Sequence, residues 1–291
     1  MFKLNRELSS VEKLFVIIIC LCLGFLFNSL VVGLLYPCMQ GEVAYKVLLT
    51  LSSLLSFGLP SLAAAYLIGE NSNPLTNMGL TRKVKISKCI LAIIFMLAIT
   101  PTIELLTSLN ASYSFPESMK GMEEYFRNTD ARAMEATQRA LAGNGTISYI
   151  MNLIAIAITP AICEEMFFRG ILQKHLVGAM KNKHVAILFT ALIFSVIHMQ
   201  FSGLLPRFVL GAALGYMFYA SKSLWLSIAA HATNNALVIS IAYFSNNDVT
   251  MTNDLSAYAN TWWILAIAIG IAIAILTGRQ ILCSQRYKSE Q

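Results

Sequence analysis

Apolar runs of membrane length recur along almost the whole chain. A helix rising about 1.5 Å per residue needs about 20 mostly apolar residues to cross a hydrocarbon core. Runs at 14–36, 47–68, 87–108, 146–172, 184–201, 204–220, 224–244 and 261–278 meet or approach that length, the fifth and sixth being short and tightly joined. The pattern predicts an all-α, polytopic membrane helix bundle of about eight transmembrane helices. One stretch breaks the rhythm. Residues 109–145, which include ESMKGMEEYFRNTDARAMEATQRALAG, are polar and helix-prone and read as an extramembrane helical excursion, their charges a solvated face. The chain divides accordingly into three transmembrane helices over 1–108, the excursion 109–145, a core over 146–244, and a last transmembrane helix with a basic tail over 245–291.

Charge gives the bundle a direction. Only 12% of the residues are charged and 57% are hydrophobic, where a soluble domain carries about 25% charged residues. With the N-terminus inside, 14 of the 21 Lys and Arg fall in inner segments and 6 in outer ones, Arg169 remaining within a span. Basic residues concentrate on the inner side of membrane proteins, so the chain reads N-in, C-in. The first run is too long for a secretory leader and lacks a small-residue cleavage site, so it reads as a retained helix. The expected location is multi-pass in the plasma (inner) membrane.

The net charge of +6 is scattered in short loop clusters without interleaved aromatics, which excludes nucleic acid as a partner. The partners expected are the lipid bilayer and a peptide or protein substrate at the membrane. Six cysteines form no CxxC pair, so neither a zinc ribbon nor a disulfide framework is suggested. Asn110 and Asn144 stand in Asn-x-Ser/Thr sequons, which matter only in a eukaryotic secretory pathway. GAALG at 211–215 has the spacing of close helix packing.

Ionisable groups within a span are costly, so each is a candidate for function. The fourth span carries Glu164, Glu165 and Arg169, the fifth His198, and the seventh His231 and Asn235 with Asn234 beside them. Glu165 and Arg169, four apart, share a helix face and can pair. Glu164 is turned about 100° away, free to point elsewhere. His231 and Asn235 share a face by the same spacing. A carboxylate and two imidazoles can activate water with or without a metal, and an Asn amide can donate to a developing oxyanion. A Glu–Arg staple and packing histidines would explain each residue singly; their number on three spans favours chemistry.

The ordered set EEMFFR at 164–169, FSVIH at 194–198 and HATNN at 231–235 resembles the EExxxR, FxxxH and HxxxN motifs of the CPBP family. That family includes CAAX prenyl endopeptidases and Abi-type proteins of bacteriocin self-immunity. The resemblance covers about residues 145–240. It implies an intramembrane endopeptidase acting on a membrane-associated or prenylated-type peptide. Glu164 would be the base that activates water, His198 would assist, and His231 and Asn235 would steady the oxyanion. Glu165 and Arg169 would shape the site. The resemblance leaves open a metalloprotease, with a metal such as zinc on Glu164, His198 and His231, and a metal-free glutamate mechanism, which we favour. No HExxH occurs. A non-catalytic peptide-binding or immunity protein would use the same cavity. A carrier would also bury Glu and His, but no inverted repeat is visible.

Overall fold

The structure, a computed structural model, describes residues 8–245 and 261–283. The terminal basic residues Lys3, Arg6, Arg286 and Lys288 used for orientation lie outside the described residues. The long helices are α1 (Ser10–Leu35), α2 (Glu42–Ile68), α3 (Ile86–Ala111), α4 (Lys120–Leu141), α5 (Thr146–Ala179), α6 (Lys183–Val196), α7 (Leu204–Ser221), α8 (Leu224–Phe244) and α9 (Thr261–Cys283). The protein is an all-α integral membrane bundle. Among the described residues seven helices are long and apolar enough to cross a membrane: α1, α2, α3, α5, α7, α8 and α9.

The stretch 184–201 departs from the expected eight spans. Its helix, α6, has 14 residues and is therefore about 21 Å long, short of a hydrocarbon core of about 30 Å. The chain turns at 197–203 instead of continuing, with Met199 in the left-handed region at φ 52°. Ser195 Oγ donates to the Leu204 carbonyl across that turn. His198 therefore sits on a turn that closes a short helix.

Local chemistry sets the helix ends and bends. The Ser9 hydroxyl accepts the Glu12 N–H while the Glu12 carboxylate accepts the Ser9 N–H at 2.8 Å, a reciprocal cap that starts α1. Pro60 and Pro160 lie inside α2 and α5. A proline lacks an N–H and crowds the preceding turn. In both helices the turn just before it widens to π-type geometry, over Leu54–Gly58 and Leu153–Ile158, and the helix runs on. A second wide turn in α5, Met166–Gln173, is buried at every residue and contains Arg169. Such turns recur at functional sites because they re-aim side chains.

The bundle is apolar on the outside. Phe15, Ile19, Leu23, Leu26, Leu30 and Leu34 of α1 are exposed, as lipid-facing side chains are. Inside, Phe57, Phe167, Phe168 and Phe194 knit α2, α5 and α6. On α7, Gly211 and Gly215 let α6 approach; a Cβ on Gly211 would stand 3.2 Å from the Ala191 Cβ, and one on Gly215 2.8 Å from Ile187. The spacing GAALG is thus a packing seam, and both carbonyls are hydrogen-bond acceptors as well. The Gly215 carbonyl accepts Gln173 Nε2 at 2.8 Å.

At the end of the bundle opposite the Lys181, Lys183 and Lys222 turns, α4 crosses over the helices. Its Leu141 packs with Ile239 and Ala242 of α8, and Arg139 lies over the Tyr45 ring at 4.7 Å. Lys46, counted above with the loop charges, is in fact only 1% exposed. It pairs with Glu42 and donates to Ser148 Oγ at 2.6 Å and to the Ala142 carbonyl at 3.0 Å, clamping α2 to the chain between α4 and α5.

Candidate active site

The site is assembled where α5, α6 and α8 meet. Arg169 Nη1 donates to Glu165 Oε1 at 2.7 Å, and both side chains are fully buried. Arg169 Nη2 reaches the Gly211 carbonyl at 3.0 Å, so one guanidinium ties α5 to α7. Its face lies 4.7 Å from the Phe194 ring centroid, a cation–π contact in a water-poor setting. The expected Glu165–Arg169 pair is therefore present.

The same Glu165 oxygen receives His231 Nδ1 from α8 at 2.9 Å. A carboxylate beside an arginine is ionised and can only accept, so Nδ1 carries the proton. That fixes the ring: Nε2 points to Glu164 Oε2 at 3.8 Å, just beyond hydrogen-bond reach. Phe194 backs the imidazole edge-on at 5.7 Å. The four groups form a line, Arg169, Glu165, His231, Glu164, of alternating sign if His231 is charged.

Glu164 differs from its neighbour. Its side chain is 15% exposed, and it has no hydrogen-bond partner among the described residues. Rotated off the Arg169 face by one residue, it escapes the staple and stays partly exposed. His198 Nδ1 lies 2.7 Å from the Phe194 carbonyl. A carbonyl only accepts, so neutral His198 carries its proton on Nδ1 and presents the Nε2 lone pair. Phe194 thus touches Arg169, His231 and, at 5.1 Å between rings, His198.

Asn235, one turn beyond His231, makes no hydrogen bond to either glutamate among the described residues. Its Oδ1 accepts Asn234 Nδ2 at 3.2 Å, which leaves its own N–H groups as donors. The set Glu164, His198 and His231 does not form a ligand cluster: no group of three or more His, Cys, Asp or Glu able to hold a metal occurs among the described residues. His231 and His198 each commit Nδ1 and keep Nε2 free, which suits a free imidazole and a metal ligand alike; no step below runs through a metal.

A residue overlooked in the sequence joins the site. Arg207, one of the six basic residues assigned to outer segments, stands in the first turn of α7, and its guanidinium donates to Gln200, two residues beyond His198 on the 197–203 turn. Its position four residues after that turn was the only signal, and the turn was read as helix.

Residues 146–237 match the family described as type II CAAX prenyl endopeptidase Rce1-like. The match spans all three motifs, so the resemblance to the CPBP family holds over this segment. The chain is also 27% identical over 128 residues to a Bacillus subtilis protein described as "Putative membrane peptidase YdiL". That alignment covers 43% of this chain and 50% of the relative, so the chain spans about half the length of the curated relative it matches. No solved structure matches the chain.

Proposed function

We propose that this protein is an intramembrane endopeptidase that hydrolyses a peptide bond of a membrane-associated or prenylated-type substrate. The observation that carries the reading is the division of labour between adjacent carboxylates. Glu165 is committed to Arg169 and His231, while Glu164 is left without a hydrogen bond and partly exposed.

In the proposed reaction Glu164 takes a proton from water as its oxygen attacks the scissile carbonyl carbon. His198, with Nε2 free, orients that water. The charge that develops on the carbonyl oxygen is met by the N–H groups of the Asn235 amide, and by His231 only when its Nε2 also carries a proton. Collapse of the tetrahedral species breaks the C–N bond, and Glu164 returns its proton to the leaving amine. Arg169 does no chemistry; it keeps Glu165 ionised, and Glu165 keeps His231 in one tautomer. The family match and the membrane relative support a peptidase in general. The membrane we assign is the plasma (inner) membrane, from the basic bias of the inner loops.

The test is hydrolysis of a fluorogenic prenylated-peptide and membrane-peptide library by the purified protein in detergent. Glu164→Gln should lower kcat by at least about 100-fold, the span of a lost general base, with thermal unfolding unchanged. Retained turnover in the variant sinks the reading. A strong chelator should leave wild-type activity as it was.

A further inference from the structure

Arg207 takes no part in the hydrolysis derived above, yet it is built against the turn that carries His198. Its guanidinium donates to Gln200 and folds back over Gly203, where a Cβ would collide with Nη1 and Cζ. Only a residue without a side chain leaves that space. Nη1 is buried and has no hydrogen-bond partner, which is costly for a charged donor. No carboxylate forms an ion pair with it among the described residues. Asp130 is already committed, its Oδ2 accepting the Ser202 N–H at 3.1 Å.

The frame around this arginine is ordered. Asn110 Nδ2, at the end of α3, donates to the Phe201 carbonyl. The Phe201 ring packs against Phe115 at 4.9 Å and against Phe126 of α4 at 5.3 Å. The guanidinium is thus held in place before any ligand arrives, which reduces the ordering cost of binding.

We propose that Arg207 binds a carboxylate of the peptide substrate and so sets which bond lies over Glu164. This rests on the hydrolytic reading. The unpaired N–H asks for an acceptor, and the planar fork suits a carboxylate best. Gln200, which accepts from Arg207, stands two residues beyond His198 on the same turn, so the guanidinium lies beside an element of the proposed catalytic set. The carboxylate has two sources, the peptide's own C-terminus or an Asp or Glu side chain.

Two measurements test this. In the first, each peptide cleaved by the wild type is made as the free acid, as the C-terminal amide, and as the amide with one Glu near that end. The wild type should prefer a carboxylate form through KM by about tenfold, the worth of one charge-assisted hydrogen bond. The form preferred, acid or Glu-amide, identifies the source. Arg207→Gln should erase the preference, and so should Gly203→Ala, which keeps the arginine but displaces its head. Arg207→Lys should recover part of it. A purely structural role would instead slow all three forms alike. Equal cleavage of all forms by the wild type, or a preference that survives Arg207→Gln, overturns the proposal.

The second measurement needs no substrate. Ser202→Cys is introduced, and its modification by negatively and positively charged methanethiosulfonates is followed at that residue by peptide mass spectrometry. The anionic reagent should be favoured, and Arg207→Gln should cut the ratio severalfold. If no peptide is cleaved, the hydrolytic reading fails and this ratio decides alone: an unchanged ratio in Arg207→Gln removes the anion site.

Discussion

Arg169 is a full charge in a span, and its whole compensation is local: one carboxylate oxygen at 2.7 Å, one carbonyl at 3.0 Å and an aromatic face. Removing one partner of such a buried pair strands the other, at a cost of about 3–5 kcal/mol. Glu165→Gln and Arg169→Met should each lower thermal unfolding in detergent by an amount of that order. The double replacement should cost clearly less than the two singles added. Additive losses would show that the two side chains are not coupled. The spacing of Glu165 and Arg169 made the pair legible in the sequence, because four residues on a helix are one turn. Which carboxylate meets His231 was not legible, since it depends on the rotation of α8 against α5. The geometry puts His231 Nδ1 on Glu165, not on Glu164, so the histidine is oriented by the structural carboxylate and presents its other nitrogen to the candidate base.

At the scale of the element, one kind of substitution should have opposite signs in two helices. Gly215 of α7 faces Gln173 and Ile187 so closely that an added Cβ would meet them at 2.6 and 2.8 Å. Gly33 of α1 has nothing within 4 Å of an added Cβ. Alanine gains up to about 1 kcal/mol over glycine in a helix interior, while overpacking a seam costs about 1–3 kcal/mol. Gly215→Ala should therefore lower the unfolding midpoint and Gly33→Ala should hold or raise it; a rise for Gly215→Ala would refute the seam. The GAALG spacing made this element readable. Two others misled. The run 184–201 is apolar to its end, but its last residues form a turn, because nothing in hydropathy distinguishes a short helix plus buried turn from a span. The polar 120–141 segment was recognised as a helix, yet its charges were read as a solvated face. That holds for Glu123 and Arg127, which pair on the surface at 2.7 Å. It does not hold for Asp130, which turns inward to Ser202, or for Phe126 beside Phe201. One inward acid and one inward aromatic are too few to create a visible stripe.

For the whole molecule, the arrangement of ends follows from connectivity, and its direction from charge. α4 shares one end of the bundle with the Lys46 clamp and the turn 197–203, while the turns bearing Lys181, Lys183 and Lys222 occupy the other. The basic asymmetry predicts that the second end faces the inside of the cell. Lys222 strengthens that placement. It is exposed, with a left-handed backbone at φ 56° and its ammonium 3.8 Å from the Tyr219 ring centroid, and Lys183 shares the same ring. Two cations on one aromatic at a helix end suit a polar, anionic membrane surface better than a lipid interior. Cysteines introduced into a background without the exposed Cys22 and Cys38 can decide the direction. In intact cells a membrane-impermeant thiol reagent should label Glu124→Cys on α4 and spare Lys222→Cys, and permeabilisation should expose both. The substitutions lie on exposed positions, so neither should disturb folding. The reverse labelling would invert the molecule and exchange the compartments that the α4 end and the Lys222 end face.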